Sequence, residues 1–441
     1  MNLEIASLLM FVLVIVVLIA GVPVAFSLGG VATIFGLILY GPDIFYQFVI
    51  IAWGVMKMYS LLAIPLFIFM GSILANSGIA SKLYESLHIL LSGFKGGLAV
   101  TTIIICIFFG ACTGVIGAAV VTMALIALPG MLERGYSKEL AAGTITSGGC
   151  LGMIIPPSIL LILYGSEAGT SIATLFTAAI IPGTLLGVAY AVYIAVRCKI
   201  NPSMGPSISH DERAKYTGKQ LAKMLSTSIL PFFILIFLVL GSIMLGIAAP
   251  SEAASLGGIG ALIISLFYRQ LNIKILKESI IGTLKTTCMV VFIVLGAKFF
   301  TTIFFRMGGH HIIADSVAAV NLSPVWLIMV LLVVLFILGM FMDWIGLMLV
   351  FIPIFNPIIL GLGYDPVWYG MIFCLVMCIS LLTPPFAYAI FYLKGVAPPE
   401  VSLTQMYKGV IPFLAIHIVL VVAVFIFPQL VLWLPSLTGL K

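Results

Sequence analysis

The stretch Ser147-Gly148-Gly149-Cys150-Leu151-Gly152-Met153-Ile154-Ile155-Pro156-Pro157-Ser158 lies in an apolar segment near 139–164 and cannot be read as one uninterrupted helix. Its glycines loosen the backbone, and Pro156-Pro157 removes two amide donors, so the hydrogen-bond ladder stops there. A second such stretch, Cys378-Ile379-Ser380-Leu381-Leu382-Thr383-Pro384-Pro385, follows at an offset of 228 residues, in an apolar segment near 366–393. At bilayer depth a broken helix survives only where its freed backbone groups find partners in protein, water or ions. Two matched breaks therefore mark a site.

The bilayer itself is read from composition. The chain has 441 residues, 63% hydrophobic and 8% charged, with a mean hydropathy of +1.32. Soluble domains are about half apolar and about a quarter charged. A soluble enzyme, a disordered chain and a nucleic-acid binder are excluded. The 20 Lys and Arg outnumber the 14 Asp and Glu for a net charge of +6, and they cluster beside apolar segments as membrane orientation requires. No nucleic-acid partner is expected. The acidic start of the chain running into a second apolar stretch reads as a retained span, not a cleaved signal peptide. Seven cysteines, at 106, 112, 150, 198, 288, 374 and 378, lack paired spacing and read as small core residues.

Apolar stretches fall near 6–22, 24–40, 61–77, 98–130, 139–164, 172–196, 226–248, 252–268, 286–305, 325–360, 366–393 and 404–434, which predicts about ten crossings plus shorter pieces. The longest polar stretch, 197–225, carries Arg197, Lys199, Arg213, Lys215, Lys219 and Lys223 and is expected in the cytoplasm. The chain thus divides into 1–196, a connecting segment 197–225, and 226–441.

The two halves are related. At the same offset Ser27-Leu28-Gly29-Gly30 matches Ser255-Leu256-Gly257-Gly258, Pro129 matches Pro357, Gly135-Tyr136 matches Gly363-Tyr364, and Tyr164 matches Tyr392. Chance predicts roughly 0.5 proline coincidences at one offset, against the three seen at Pro129, Pro156 and Pro157. Matching loops differ in charge: 41–58 carries only Lys57, whereas 269–285 carries Arg269, Lys274, Lys277 and Lys285. Conversely Arg134 and Lys138 follow Pro129, but the loop after Pro357 has only Asp365. Each basic loop matches a non-basic one, so the halves are expected to be inverted, the pattern of a secondary transporter. The stretches 41–59 and 269–285 have helical amphipathic spacing and read as surface-lying connecting helices, or as arms bracing a moving domain.

Each Pro-Pro break is preceded by another interruption, Phe109-Gly110-Ala111-Cys112-Thr113-Gly114-Val115-Ile116-Gly117 in the first half and Gly339-Met340-Phe341-Met342-Asp343-Trp344-Ile345-Gly346 in the second. Unwound carbonyls with a nearby hydroxyl can replace the hydration shell of Na⁺, and half-helix N-termini attract anions. The competing reading is that the glycines permit close helix packing. Asp343 is the one acid deep in a long apolar segment; it could bind a cation, relay a proton or cap a broken helix. Lys298 and Arg306 read as side chains reaching for the interface, with contact to an anionic substrate as the alternative. His310-His311 read as interfacial, and Glu167 as a solvated loop residue.

At these residues the sequence resembles the large membrane subunit of the tripartite ATP-independent periplasmic (TRAP) transporters, essentially from end to end. The resemblance is carried by Phe109-Gly-Ala-Cys-Thr-Gly114, Gly152-Met-Ile-Ile-Pro-Pro-Ser158 with Tyr164-Gly165, Leu175-Phe176 with Ile180-Ile-Pro-Gly183, and Leu382-Thr-Pro-Pro385. It implies an all-α polytopic membrane protein, an inverted-repeat elevator-type transporter with broken helices, re-entrant hairpins and amphipathic arm helices, in the bacterial inner membrane. It implies two Na⁺ sites. By position one takes Thr113, Gly149, Gly152, Ile155 and Pro157, and the other Gly339, Phe341, Asp343, Ser380, Thr383 and Pro385. Ser158, Gly114 and Asp343 are the candidates for touching substrate. Relatives often have Ser where Thr113 stands, which keeps the hydroxyl, and Ser can occur where this chain has Val115, which shifts weight onto backbone carbonyls. The implied partners are a periplasmic substrate-binding protein, a small four-helix membrane subunit, the lipid bilayer, and a small organic anion, either a carboxylate (C4-dicarboxylate, keto acid or sialic acid) or a sulfonate. A sodium-conducting channel or a transporter that needs no binding protein are the alternatives. With no HExxH, no GxSxG and no second intramembrane acid to pair with Asp343, an intramembrane hydrolase has no nucleophile or dyad.

Overall fold

The computed structural model describes residues 3–91, 93–207, 220, 225–320 and 322–439, which contain helices, turns and loops and no strand. Arg213, Lys215, Lys219 and Lys223 of the connecting segment lie outside the described residues, as do the side chains of Cys112, Thr113 and His310. The first half comprises α1 (Leu3–Ile19), α2 (Val24–Tyr40), α3 (Ile44–Met56), α4 (Ala63–Asn76), α5 (Ile79–Leu91), α6 (Gly97–Thr113), α7 (Ile116–Glu133), α8 (Lys138–Ile154), α9 (Ile159–Ala168) and α10 (Ile172–Ile200). The second comprises α11 (Leu230–Met244), α12 (Pro250–Phe267), α13 (Ile273–Arg306), α14 (Gly309–Val320), α15 (Pro324–Gly339), α16 (Trp344–Gly361), α17 (Pro366–Ser380), α18 (Tyr388–Lys394) and α19 (Leu403–Ile426), and α20 (Gln429–Thr438) follows.

Moved by 228 residues, α7 becomes 344–361, the bounds of α16, and α8 becomes 366–382 against Pro366–Ser380. The chain therefore repeats helix for helix, with one exception. In the first half α3 ends at Met56, a short 3₁₀ turn covers Tyr59–Leu62, and α4 starts afresh, whereas α13 runs unbroken for 34 residues. This corrects the division of 269–285 from 286–305: the second arm and its crossing are one helix. The reason is local. Pro65 sits in the first turn of α4, where its missing amide costs nothing, and Ile293 at the matching place lets the ladder continue.

Among the described residues nine helical runs are long and apolar enough to cross a membrane, and five shorter apolar helices accompany them. At 1.5 Å per residue α13 is about 51 Å long, beyond a hydrocarbon core of about 30 Å, so part of it extends past the core or tilts. Exposed Ile5, Val12, Phe237, Ile263 and Phe292 on α1, α11, α12 and α13 place large apolar side chains where lipid would meet them.

Packing respects the repeat. Helix α2 packs on α13 and reciprocally α4 packs on α12; likewise α8 packs on α19 and α10 on α17, and α7 on α18 and α9 on α16. A Cβ on Gly296 would lie 2.6 Å from the Ala25 carbonyl oxygen, so α13 and α2 meet at backbone distance there. One bundle is built on α1, α2, α4, α11, α12 and α13, and the other on α6–α10 and α15–α19. The second bundle holds the most enclosed elements: α8 is buried from Leu140 to Ile154 and α17 from Val367 to Ser380. Cys106, Cys150, Cys198, Cys374 and Cys378 are buried, as core residues should be, while Cys288 is exposed.

Candidate functional site

The first hairpin turns at Gly114 and Val115. Helix α6 ends at Thr113, Gly114 takes a left-handed conformation (φ 59°) that favours a residue without Cβ, and Val115 is extended before α7 begins. This tip lies against the first break: a Cβ on Gly114 would be 3.1 Å from the Ile159 amide nitrogen. Below the tip, Gly110 of α6 and Gly152 of α8 meet with their backbones in contact. At the break, Ile155 is extended, Pro156–Pro157 is cis, and Ser158 caps α9. Its hydroxyl donates to the Met153 carbonyl and accepts from the Leu161 amide at 3.4 Å.

The second half builds the same junction with other chemistry. Helix α15 ends at Gly339, whose missing side chain leaves room for Ser380 Oγ. Asp343 caps α16, its carboxylate accepting from the Ile345 amide at 3.1 Å. After α17 the chain unwinds through Leu381 to Ala387, with Pro384–Pro385 cis and Ala387 left-handed (φ 42°). Tyr388 donates to the Phe341 carbonyl at 3.3 Å, Tyr407 donates to the Pro385 carbonyl at 3.1 Å, and the rings of Phe341 and Phe386 lie 6.1 Å apart. The first break is enclosed except at half-buried Ile155; Pro384, Pro385 and Phe386 of the second are exposed.

All but two of the candidate residues fall into these two junctions. Thr113, Gly114, Ile155, Pro157 and Ser158 gather where the first tip meets the first break. Gly149 and Gly152 lie deeper on α8, where Gly149 faces Val120 of α7 and Gly152 faces Gly110. Both glycines therefore serve close helix approach. Gly339, Phe341, Asp343, Ser380, Thr383 and Pro385 gather at the second junction. Ser380 donates to the Met377 carbonyl at 2.7 Å and Thr383 to the Ile379 carbonyl at 2.8 Å. With their protons engaged on the helix, both oxygens keep lone pairs suited to a hard cation.

The junctions belong to one bundle. A Cβ on Gly117, just past the first tip, would lie 3.1 Å from the Tyr392 ring of α18, the half-helix after the second break. Asn356 of α16 in turn donates to the Ala168 carbonyl at the end of α9. Sequence reasoning missed Tyr388 and Tyr407. The expectations for Glu167 and Lys298 are corrected, because the Glu167 side chain is 2% exposed and pairs with Lys298 Nζ at 2.5 Å across the two bundles. Burial leaves that carboxylate needing a cation, and α13 supplies one. Exposed Arg306 does reach outward, donating to Gln47 of α3 at 3.0 Å and lying 5.7 Å from the Tyr40 ring centre.

Comparison with known proteins fits this architecture. A family model described as "Tripartite ATP-independent periplasmic transporter, DctM component" matches residues 11–430. A C4-dicarboxylate TRAP transporter large permease protein DctM of Pseudomonas aeruginosa is 32% identical over 418 residues, covering 94% of each chain. An isethionate TRAP transporter permease protein DctMQ of Oleidesulfovibrio alaskensis is 30% identical over 408 residues, 90% of this chain and 61% of that one. Among solved structures, the YdaH transporter of Alcanivorax borkumensis has the same fold at a TM-score of 0.65, with 14% identity over 95% of this chain and 98% of its own. A repeated, break-containing helical bundle matched over residues 11–430 by the DctM model thus belongs to the TRAP transporter family, as a large permease subunit and a multi-pass protein of the inner membrane.

Proposed function

We propose that this permease imports a small organic anion, a carboxylate or a sulfonate, in symport with Na⁺, and that a periplasmic binding protein delivers the anion while a small four-helix membrane subunit braces the permease. The observation that carries the reading is the recurrence, in both halves, of a hairpin tip set against a proline break in a neighbouring helix. One Na⁺ would be held at Thr113, Gly149, Gly152, Ile155 and Pro157, mostly by carbonyls. The other would be held at Gly339, Phe341, Ser380, Thr383 and Pro385, with the charge of Asp343 close by. The substrate class follows the relatives, one of which is named for C4-dicarboxylates and another for isethionate, a sulfonate.

Reciprocal packing of equivalent helices supports a twofold relation between the halves, and the opposite charge of matching loops supports an inverted one. The bundle holding both junctions would then slide as an elevator against the bundle of α2, α4, α12 and α13. Lipid vesicles containing the permease with its small subunit, and the binding protein outside, test the proposal. Anion uptake should require both the binding protein and an inward Na⁺ gradient. Sodium current without substrate would instead show a channel, and equal uptake with K⁺ would refute coupling.

A further inference from the structure

A cavity of about 220 Å³ lies beside the first hairpin, between the two bundles. Ser72 and Asn76 of α4 and Thr286 of α13 form one wall, and Val115, Ala118 and Thr122 form the other. Asn76 donates to Ser72 Oγ at 3.3 Å and to Ser279 Oγ at 3.0 Å, so Ser72 accepts one bond and keeps its own proton to donate. Among the described residues no basic side chain lines this space, and its lining supplies neutral donors on both walls.

The repeat shows what a helix end in this position accommodates. Val115 precedes α7 as Asp343 precedes α16, 228 residues on. In the second half the chain's own carboxylate sits on the helix end and takes the Ile345 amide. In the first half the corresponding residue is valine, which has no side-chain acceptor to cap α7, and this first turn borders the polar cavity. The second half thus carries internally the group that the first half lacks.

We propose that this cavity is a subsite for one acidic group, carboxylate or sulfonate, of the transported anion. The inference rests on the proposed function and deepens it. The acidic oxygens accept from the hydroxyls of Ser72, Thr122 and Thr286 and from the first-turn amides of α7, while a cation at the adjacent tip and the positive end of α7 balance the charge. Because the donors come from both bundles, the subsite is complete only when the bundles stand as they do here.

The test is uptake of succinate, pyruvate, N-acetylneuraminate and isethionate by the complete transporter in vesicles, with KM, half-saturating Na⁺ and melting temperature measured in parallel. Val115→Asp places a carboxylate where Asp343 has one; it should abolish uptake without lowering the melting temperature, since it caps α7. Val115→Thr, of the same size and uncharged, should lose far less uptake than Val115→Asp. Thr122→Val should raise KM roughly 10-fold, one charge-assisted hydrogen bond being lost, with half-saturating Na⁺ unchanged. Wild-type KM in Val115→Asp or in Thr122→Val, or loss of uptake in Val115→Thr equal to that in Val115→Asp, would overturn the subsite. Wild-type uptake indifferent to Na⁺ would sink the coupling alone, while the KM comparison still judges the subsite. Uptake of none of the four anions would overturn the substrate class, and the subsite with it.

Discussion

The Asp343 carboxylate takes the amide of Ile345 at 3.1 Å, which ties its charge to the positive end of α16 beside the second break. Removing the side chain and removing the charge are therefore separable. Asp343→Ala should cost about 0.5–2 kcal/mol in stability through loss of the cap, whereas Asp343→Asn keeps an acceptor and should stay near wild type. Thermal unfolding measures both. If the charge also favours a cation at this junction, Asp343→Asn should raise half-saturating Na⁺ without lowering the melting temperature; an unchanged sodium curve would leave Asp343 as a cap alone. This residue was legible in the sequence because a lone acid in a long apolar run has few reasons to be there. Tyr388 and Tyr407 were not, because a phenol reaching the Phe341 or Pro385 carbonyl is a tertiary contact without local pattern. The pairing of Glu167 with Lys298 spans 131 residues and was equally hidden.

At the level of elements, the glycines of α6 and α8 determine how closely the first hairpin approaches the broken helix. A methyl on Gly152 would meet the backbone of Gly110, and neither helix can yield without moving the tip. Gly152→Ala should destabilise by about 1–3 kcal/mol and reduce uptake. Gly130 of α7 supplies the control: a Cβ there meets nothing within 4 Å, and Gly130→Ala should be neutral or gain up to about 1 kcal/mol. Equal effects of the two substitutions would contradict the packing argument. The breaks and the apolar runs were readable because proline and hydropathy act locally. The joining of arm and crossing in α13 was harder to see, because polar Lys285-Thr286-Thr287 mimics a boundary although it contains no residue that stops a helix.

At the scale of the molecule, the repeat is written in the matched bounds of α7 and α16 and in the reciprocal packing of α2 with α13 and α4 with α12. Inversion makes a direct prediction about sidedness. A cysteine-reactive label near Lys277 should be accessible from the cytoplasm, and labels in 41–58 and near Asp365 only from the periplasm; finding Lys277 and 41–58 on one face would remove the inversion. Whether each junction holds a sodium ion whose entry drives uptake is decided by initial uptake rates across a sodium titration of the wild type, Thr113→Val, Thr383→Val and the double variant. Loss of one hydroxyl ligand, about 1–3 kcal/mol, should raise half-saturating Na⁺ roughly 5- to 150-fold in each single variant. The double variant should lose sodium-driven uptake while still docking the binding protein. Wild-type sodium curves in both single variants would show that these hydroxyls hold no ion.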